Sequence, residues 1–98
     1  MARIALLVIK GRNEDKVKFA IDHLRKEIDA RTAGWKDLMV SGPAPSPLLR
    51  AESYYRYQIM LRTRAMSRLA AELAKIQTEV PLPEDTTLTI DVDAVNLS

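Results

Sequence analysis

The sequence predicts an α+β fold, a ferredoxin-like βαββαβ two-layer sandwich with a four-stranded antiparallel sheet and two helices on one face. Three observations predict it. Four runs are either apolar almost throughout or alternate between apolar and polar residues, as strands do, and two other runs repeat apolar residues at helical spacing. These runs follow one another in the order βαββαβ. A length of 98 residues suits one domain, residues 1–98, in which the first and third strands are central and the second and fourth are edges.

The first strand and the first helix are predicted from the first third of the chain. "RIALLVIK", residues 3–10, is apolar at nearly every position, which is typical of a mid-sheet strand covered on both faces. Gly11 interrupts this run, and Asn13 is placed to cap a helix from about residue 14 to residue 30. Four apolar residues at helical spacing predict the buried face of that helix: Val17, Ile21, Leu24 and Ile28.

The middle of the chain predicts two strands separated by a stiff loop. "WKDLMVS", residues 35–41, is interpreted as a short strand that ends in a turn at Gly42. Three prolines with fixed φ angles are expected to order the loop and set where the next strand points: Pro43, Pro45 and Pro47. "ESYYRYQIMLR", residues 52–62, alternates and predicts the third strand. Its inward face is Tyr55, Tyr57, Ile59 and Leu61, and its outward face is Tyr54, Arg56, Gln58, Met60 and Arg62.

The last third of the chain predicts a helix and an edge strand. Thr63 is predicted to cap the second helix, whose apolar residues form its buried side: Met66, Leu69, Ala70, Leu73 and Ile76. Pro81 and Pro83 interrupt the chain after the helix. "TLTIDVD", residues 87–93, alternates and predicts the final strand, with Asp91 and Asp93 on its outward face.

Composition excludes several classes of site. The chain has no cysteine, which excludes disulfides, thiolate zinc sites and cysteine nucleophiles. Its longest apolar run is far shorter than the about 20 residues of a membrane span, so we expect a cytoplasmic protein without membrane contact. The net charge is only +2, but residues 50–69 carry five basic groups against one acidic group. Positive charge is therefore concentrated around the third strand.

Catalysis has little support in these residues. His23 is the single histidine and lies on the polar side of the first helix, which favours a surface role. Asp91 and Asp93 are more typical of a polar strand face than of a metal site, so neither a metal nor a cofactor is predicted. "KGRNED", residues 10–15, joins a strand to a helix N-terminus and is suited to contact an anion. Acylphosphatases share this fold and an arginine at this corner, but their longer glycine-rich cradle and the asparagine on their third strand are missing.

Nucleic acid is the better supported partner. The basic residues around the third strand are all arginine, whose planar guanidinium pairs with phosphate and stacks on rings. Arg64 and Arg68 are predicted one helical turn apart, either holding an anion or neutralised by Glu72. Asp91 and Asp93 would repel phosphates, so the binding path is expected along the edge made by the second and third strands and the proline loop. The candidate DNA-binding residues are Arg50, Tyr54, Arg56, Gln58, Arg62, Arg64 and Arg68. An RNA-recognition motif would need a glycine-containing aromatic signature in its third strand, which "SYYRYQIML" lacks.

Three segments in order resemble the C-terminal domain of the PriA family of primosomal replication-restart helicases, also called primosomal protein N'. They are "GPAPSP" (residues 42–47), "YRYQIML" (residues 55–61) and "IDVD" followed by "VN" (residues 90–96). The resemblance implies a non-catalytic domain, folded like a small-subunit ribosomal protein, from the C-terminus of a larger ATP-dependent bacterial helicase. The pattern is not complete, because Ala51, Glu52 and Ser53 stand where the family usually has basic and glycine residues, and Ala94 where it tends to have proline.

Two functions are carried forward at this point, and hydrolysis of an acyl phosphate at the corner of residues 10–15 stays open as a third. The first is binding of forked or duplex DNA without sequence preference, at stalled replication forks in the bacterial nucleoid. The second is a protein-interaction domain that packs on the remaining helicase domains or on single-strand-binding protein and scarcely touches DNA. The apolar outward side of the first strand and Phe19, which falls opposite the buried stripe of its helix, motivate the second.

Overall fold

The structure is a computed structural model that describes residues 1–93, apart from the side chains of residues 48–51. Its elements are β1 (Arg3–Gly11), α1 (Glu14–Arg31), β2 (Leu38–Ala51), β3 (Tyr54–Thr63), α2 (Met66–Glu79) and β4 (Thr86–Val92). The strands form one sheet in the order β2-β3-β1-β4, and every neighbouring pair is antiparallel. The predicted ferredoxin-like fold is confirmed, with β1 and β3 in the centre and β2 and β4 at the edges.

The core lies between the helices and one face of the sheet. Alternate residues of β1 and β3 point into it, because side chains of a strand alternate between its two faces. The largest fully buried side chains of the sheet meet the apolar stripes of both helices: Leu7, Ile9, Ile59, Leu61, Val17, Ile21, Leu24, Ile28, Leu69, Leu73 and Ile76. The expectation that β1 is covered on both faces is wrong for the described residues. Ile4, Leu6 and Val8 are only half-buried on the face away from the helices, which we call the open face.

The proline segment is part of a strand. β2 continues through it to Ala51, whereas the sequence predicted a short strand followed by a loop. Ala44 pairs with Gln58 and Pro45 with Tyr57, and the register shifts on either side of this stretch. Prolines are tolerated here because β2 is an edge strand, where a missing N–H removes fewer ladder bonds. Within β2, the carbonyl of Gly42 accepts a hydrogen bond from Arg25 Nη1, which ties the strand to α1.

The two helices begin differently. Asn13 caps α1 as predicted, since its side-chain oxygen accepts a 3.0 Å hydrogen bond from the Lys16 N–H. The predicted cap at Thr63 is wrong. Ala65 is the N-cap of α2 and makes no side-chain cap bond, whereas the hydroxyl of Thr63 accepts a 2.9 Å bond from the Ala65 N–H. Thr63 instead ends β3 as a buried residue, and the helix starts at Met66.

The two acidic residues that were predicted on one face of the last strand, Asp91 and Asp93, lie in different elements. β4 ends at Val92, so Asp91 lies in the strand and Asp93 in the turn after it. Asp93 accepts a 2.7 Å hydrogen bond from Arg3 Nε, with a second contact from Nη2, and these bonds lower the pKa of its carboxyl. Asp91 and Asp93 therefore do not form a pair of carboxylates on one face. Among residues 1–93 no group of three acidic or histidine side chains is arranged to hold a metal, and no helix is apolar and long enough for a membrane span.

Candidate nucleic-acid interface

A cluster of cations around one aromatic ring lies at the end of the open face where β1 meets α1. The register places Lys10 of β1 between Arg56 of β3 and Thr87 of β4. The ring of Tyr54 lies 5.2 Å from Lys10 Nζ and 5.3 Å from Arg12 Cζ, both within the range of cation–π contact. We call Lys10, Arg12, Tyr54 and Arg56 the basic end of the open face. Its arrangement suits an anion because the cations converge from two strands on one small area.

Alternation along β3 places Arg56 as predicted. Its neighbour Tyr57 is buried against the helices at 8% exposure, whereas Arg56 is half-buried on the open face, opposite Lys10. Gln58 follows on the same face beside Val8. The guanidinium of Arg56 is thus not sealed beneath the helices, and its position satisfies the first requirement for contact with an external phosphate.

Three of the other predicted arginines, Arg62, Arg64 and Arg68, lie toward the opposite end of the domain, whereas the backbone of Arg50 pairs with Tyr55 near the basic end. Strands rise about 3.3 Å per residue, so Tyr54 and Arg64 are roughly 33 Å apart. Arg62 is exposed beside Ile4, Arg64 follows β3, and Arg68 lies in α2. The prediction that Arg64 and Arg68 occupy successive turns of one helix is wrong, because α2 begins after Arg64. The seven candidate DNA-binding residues therefore do not form a single cluster.

Arg64 and Arg68 each have a local partner. The Asp37 carboxylate accepts a 2.8 Å hydrogen bond from the Arg64 backbone N–H and a 3.3 Å bond from its Nε, and these bonds lower the pKa of Asp37. The guanidinium carbon of Arg68 lies 3.9 Å from the centre of the Trp35 ring. Both contacts fix the two cations locally, so their positions are explained without an external anion.

Glu72 does not neutralise Arg68 among the described contacts. It lies 3.5 Å from Arg31 Nη1 and 4.0 Å from Lys75 Nζ. Arg31 also contacts Glu79 at 3.0 Å, and its pKa is raised chiefly by that hydrogen bond. These charges form a network between the two helices, on the layer away from the open face.

The sequence analysis treated Lys10 and Arg12 as part of a separate corner, although the structure joins them to Tyr54 and Arg56. Strand parity was a usable signal for Lys10, since it has the same parity as Val8 on the open face. The convergence with β3 depends on strand pairing, which the sequence alone does not display. The side chain of Arg50 lies outside the described residues, as do Val95 and Asn96 of the terminal motif.

The sequence of this chain matches a known protein family. Residues 1–95 match the family model described as the primosomal protein N C-terminal domain. A curated relative from Deinococcus radiodurans, named "Probable replication restart protein PriA", is 34% identical over 77 residues. That match covers 79% of this chain and 8% of the relative, so the chain spans only a small part of that protein's length.

Solved structures share the fold with little sequence identity. The de novo designed protein Foldit4 superposes with a TM-score of 0.62 at 14% identity, covering 98% of this chain and 100% of the design. A second de novo design with a ferredoxin fold gives 0.53 at 15% identity, covering 100% and 90%. Part of a hydantoinase/carbamoylase family amidase from Burkholderia ambifaria gives 0.51 at 14% identity, covering 93% and 27%. Such likeness concerns the fold alone.

Proposed function

The chain belongs to the primosomal protein N C-terminal domain family, and from this membership we propose that it is the non-catalytic C-terminal DNA-binding and domain-docking module of a bacterial replication-restart helicase. In that role it helps the helicase recognise branched DNA at stalled forks, and so acts at the nucleoid in the cytoplasm. ATP hydrolysis and strand separation would belong to other domains of the parent protein. The chain itself supplies a surface and no reaction.

The observation that carries this proposal is the basic end of the open face. Lys10 and Arg12 lie against the Tyr54 ring, and Arg56 is the partner of Lys10 in the sheet register. Lys10 and Arg12 make no ion pair with any side chain that the structure describes. Cations that are not committed to carboxylates retain their attraction for phosphate oxygens. Binding of this kind is dominated by the DNA backbone, so it weakens steeply with salt and shows little sequence preference.

The acidic residues of the open face favour a path across its end. Asp91 pairs with Leu6 on the open face. Leu6 lies four residues from Lys10 along β1, so Asp91 lies away from the pair of Lys10 and Arg56. Asp93 is engaged by Arg3. A DNA backbone crossing the basic end avoids Asp91, whereas one lying over the whole sheet would meet it. We therefore place the proposed DNA path across the β1–β3 end, which differs from the path along the strand edge expected from sequence.

Fluorescence anisotropy with labelled forked and duplex DNA at low salt tests the proposal. Arg56→Ala and Lys10→Ala should weaken binding to both DNAs, and each lost phosphate contact should reduce the slope of log K against log salt by about 0.9. Arg64→Ala at the far end tests whether the surface extends along the sheet. Lys26→Ala is the matched control, because Lys26 is an exposed cation on α1, in the helical layer. Equal losses for Lys26→Ala and Arg56→Ala would refute a localised site.

A second candidate function is docking of other protein domains. Leu6 and Val8 are half-buried at the middle of the open face, and Met60, which pairs with Leu6, is 36% exposed. Met39 of the edge strand β2 pairs with Arg62 and is 64% exposed. Phe19 on α1 is 68% exposed. The apolar strip formed by Leu6, Val8 and Met60 on the open face favours packing against the remaining helicase domains or single-strand-binding protein. Leu6→Glu should then abolish association with the remaining domains in a pull-down while Arg56→Ala leaves it intact, and the reverse result would contradict docking through this strip.

A further inference from the structure

A cleft of about 480 Å³ lies beside the basic end, between the start of α1 and the neighbouring ends of β3 and β4. Its lining residues are Arg12, Asn13, Lys16, Tyr54, Asp85 and Thr87. Tyr54 was a candidate DNA-binding residue in the sequence, and Arg12 and Asn13 belonged to the predicted anion-contacting corner of residues 10–15. The volume falls within the roughly 300–1,000 Å³ of pockets that bind small organic molecules, so the cleft is large enough for more than a single phosphate.

One side of the cleft is cationic and aromatic. Arg12 and Lys16 line it and make no ion pair with any side chain that the structure describes. Tyr54 is half-buried, and Arg12 Cζ lies 5.3 Å from the centre of its ring. The two cations can bind the phosphate oxygens of a ligand. Tyr54 can stack against a planar ring of the ligand, because bases stack on aromatic side chains without regard to sequence.

The other side of the cleft accepts hydrogen bonds. Asp85 precedes β4 in a left-handed conformation, with a φ of 63°. Thr87 lies next to Lys10 in the sheet register and is exposed. A carboxylate in the cleft disfavours a ligand that is anionic throughout, such as inorganic phosphate. It favours a ligand that carries N–H or O–H donors at the end away from its negative charge.

A nucleotide has this distribution of groups. We propose that the cleft binds one unstacked nucleotide of a single DNA strand, with its phosphate at Arg12 and Lys16, its base against Tyr54, and its donor groups toward Asp85 and Thr87. The inference rests on the proposed function, since it assigns a strand preference to the same end of the domain. Duplex DNA cannot place a base in the cleft unless that base leaves the stack, which costs free energy. Single-stranded segments at a fork offer unstacked bases directly.

The test compares single-stranded and duplex oligonucleotides of equal length by fluorescence anisotropy, using the intact chain. Tyr54→Leu retains an apolar side chain in the strand and removes the ring, and Tyr54→Phe retains the ring. Loss of one base stacked on an aromatic ring corresponds to a roughly 5- to 150-fold weakening. We expect a loss in that range for the single strand with Tyr54→Leu, a clearly smaller loss for the duplex, and near-normal binding of both with Tyr54→Phe. Circular dichroism establishes that each variant is folded.

The remaining arms separate this inference from the proposed function. Thymidine 5′-monophosphate should displace the single strand more effectively than inorganic phosphate at equal ionic strength, and Asp85→Ala should narrow that difference. Equal losses of single-stranded and duplex binding with Tyr54→Leu would overturn the cleft assignment and leave the proposed function standing, provided that Arg56→Ala still weakens the duplex. A wild-type chain that binds neither DNA would overturn both.

Discussion

The phenol of Tyr57 donates a 2.8 Å hydrogen bond to Oε2 of Glu14, joining the third strand to the first turn of the first helix. Tyr57 is buried, so its hydroxyl needs an acceptor inside the fold. Glu14 supplies one from a position where the helix dipole also favours a carboxylate. The hydrogen bond to Glu14, followed by burial, raises the pKa of Tyr57, because ionisation would place two negative charges side by side.

This pair makes Tyr57 the subject of the first prediction. A raised folded-state pKa contributes stability below the ordinary tyrosine pKa of about 10, and that contribution is lost as pH rises through the raised value. In an ultraviolet titration we expect an ionisation step above the ordinary tyrosine range, and Tyr57→Phe should remove that step. Glu14→Gln keeps an acceptor without the charge and should move the step to lower pH. An unchanged titration curve in Glu14→Gln would contradict the pairing.

The second prediction compares two glycines with positive φ. Gly34 has a φ of +84° with no atom within 4 Å of an added Cβ, whereas Gly42 has a φ of +100° and its added Cβ would lie 2.7 Å from the carbonyl oxygen of Gln58. Gly34→Ala should cost about 1–2 kcal/mol for the left-handed backbone. Gly42→Ala should cost a further ~1–3 kcal/mol, because the overlap forces the strands apart. Urea unfolding measures both, and equal losses would show that the β2–β3 contact is looser than described.

Features that depend on neighbouring residues of one strand could be predicted from the sequence, whereas features that depend on pairing between strands could not. Alternation of side chains is a property of one strand, so the opposite directions of Tyr57 and Arg56 followed from their positions alone. The proline stretch was interpreted as a loop because a turn was expected at Gly42 and Pro43. Its place in β2 depends on β2 being an edge with β3 as its single partner, and that is settled by the whole sheet.

The candidate site shows the same division. Arg12 directly follows β1 and Tyr54 begins β3, and the two residues meet through the pairing of β1 with β3. No local pattern reports that meeting, and so Arg12 was left in a separate anion-binding corner, residues 10–15, and Lys16 was not a candidate. The spacing of Arg64 and Arg68 misled for the opposite reason. It assumed a continuous helix, whereas the N–H of Arg64 bonds to Asp37 before α2 begins.

The third prediction concerns Arg68 and the single tryptophan. The Arg68 guanidinium lies 3.9 Å from the ring centre of Trp35, and exposed cation–π pairs contribute about 0.5–1 kcal/mol. Arg68→Ala should lower the free energy of unfolding by about that amount and shift Trp35 emission toward longer wavelengths as water reaches the ring. Arg62→Ala is the control, since Arg62 is an exposed arginine of the same end. A matching emission shift in both variants would show that Arg68 does not shield the ring.

The last prediction follows from the order of the two bonds that hold Asp37. The pKa of Asp37 is lowered chiefly by the Arg64 backbone N–H and to a smaller extent by the Arg64 side chain. Arg64→Ala keeps the first bond, so the Asp37 pKa should rise only part of the way to its ordinary value. A depressed carboxyl pKa stabilises the fold above about pH 4, and that stability is lost as pH falls through the depressed value. Asp37→Asn should therefore remove the dependence of unfolding on acid pH at this site, which Arg64→Ala should largely retain. Carboxyl NMR titrations of the wild type and of Arg64→Ala measure the Asp37 pKa in each. Full recovery of an ordinary Asp37 pKa in Arg64→Ala would contradict the prediction. It would mean that the Arg64 side chain, and not its backbone N–H, holds the carboxylate.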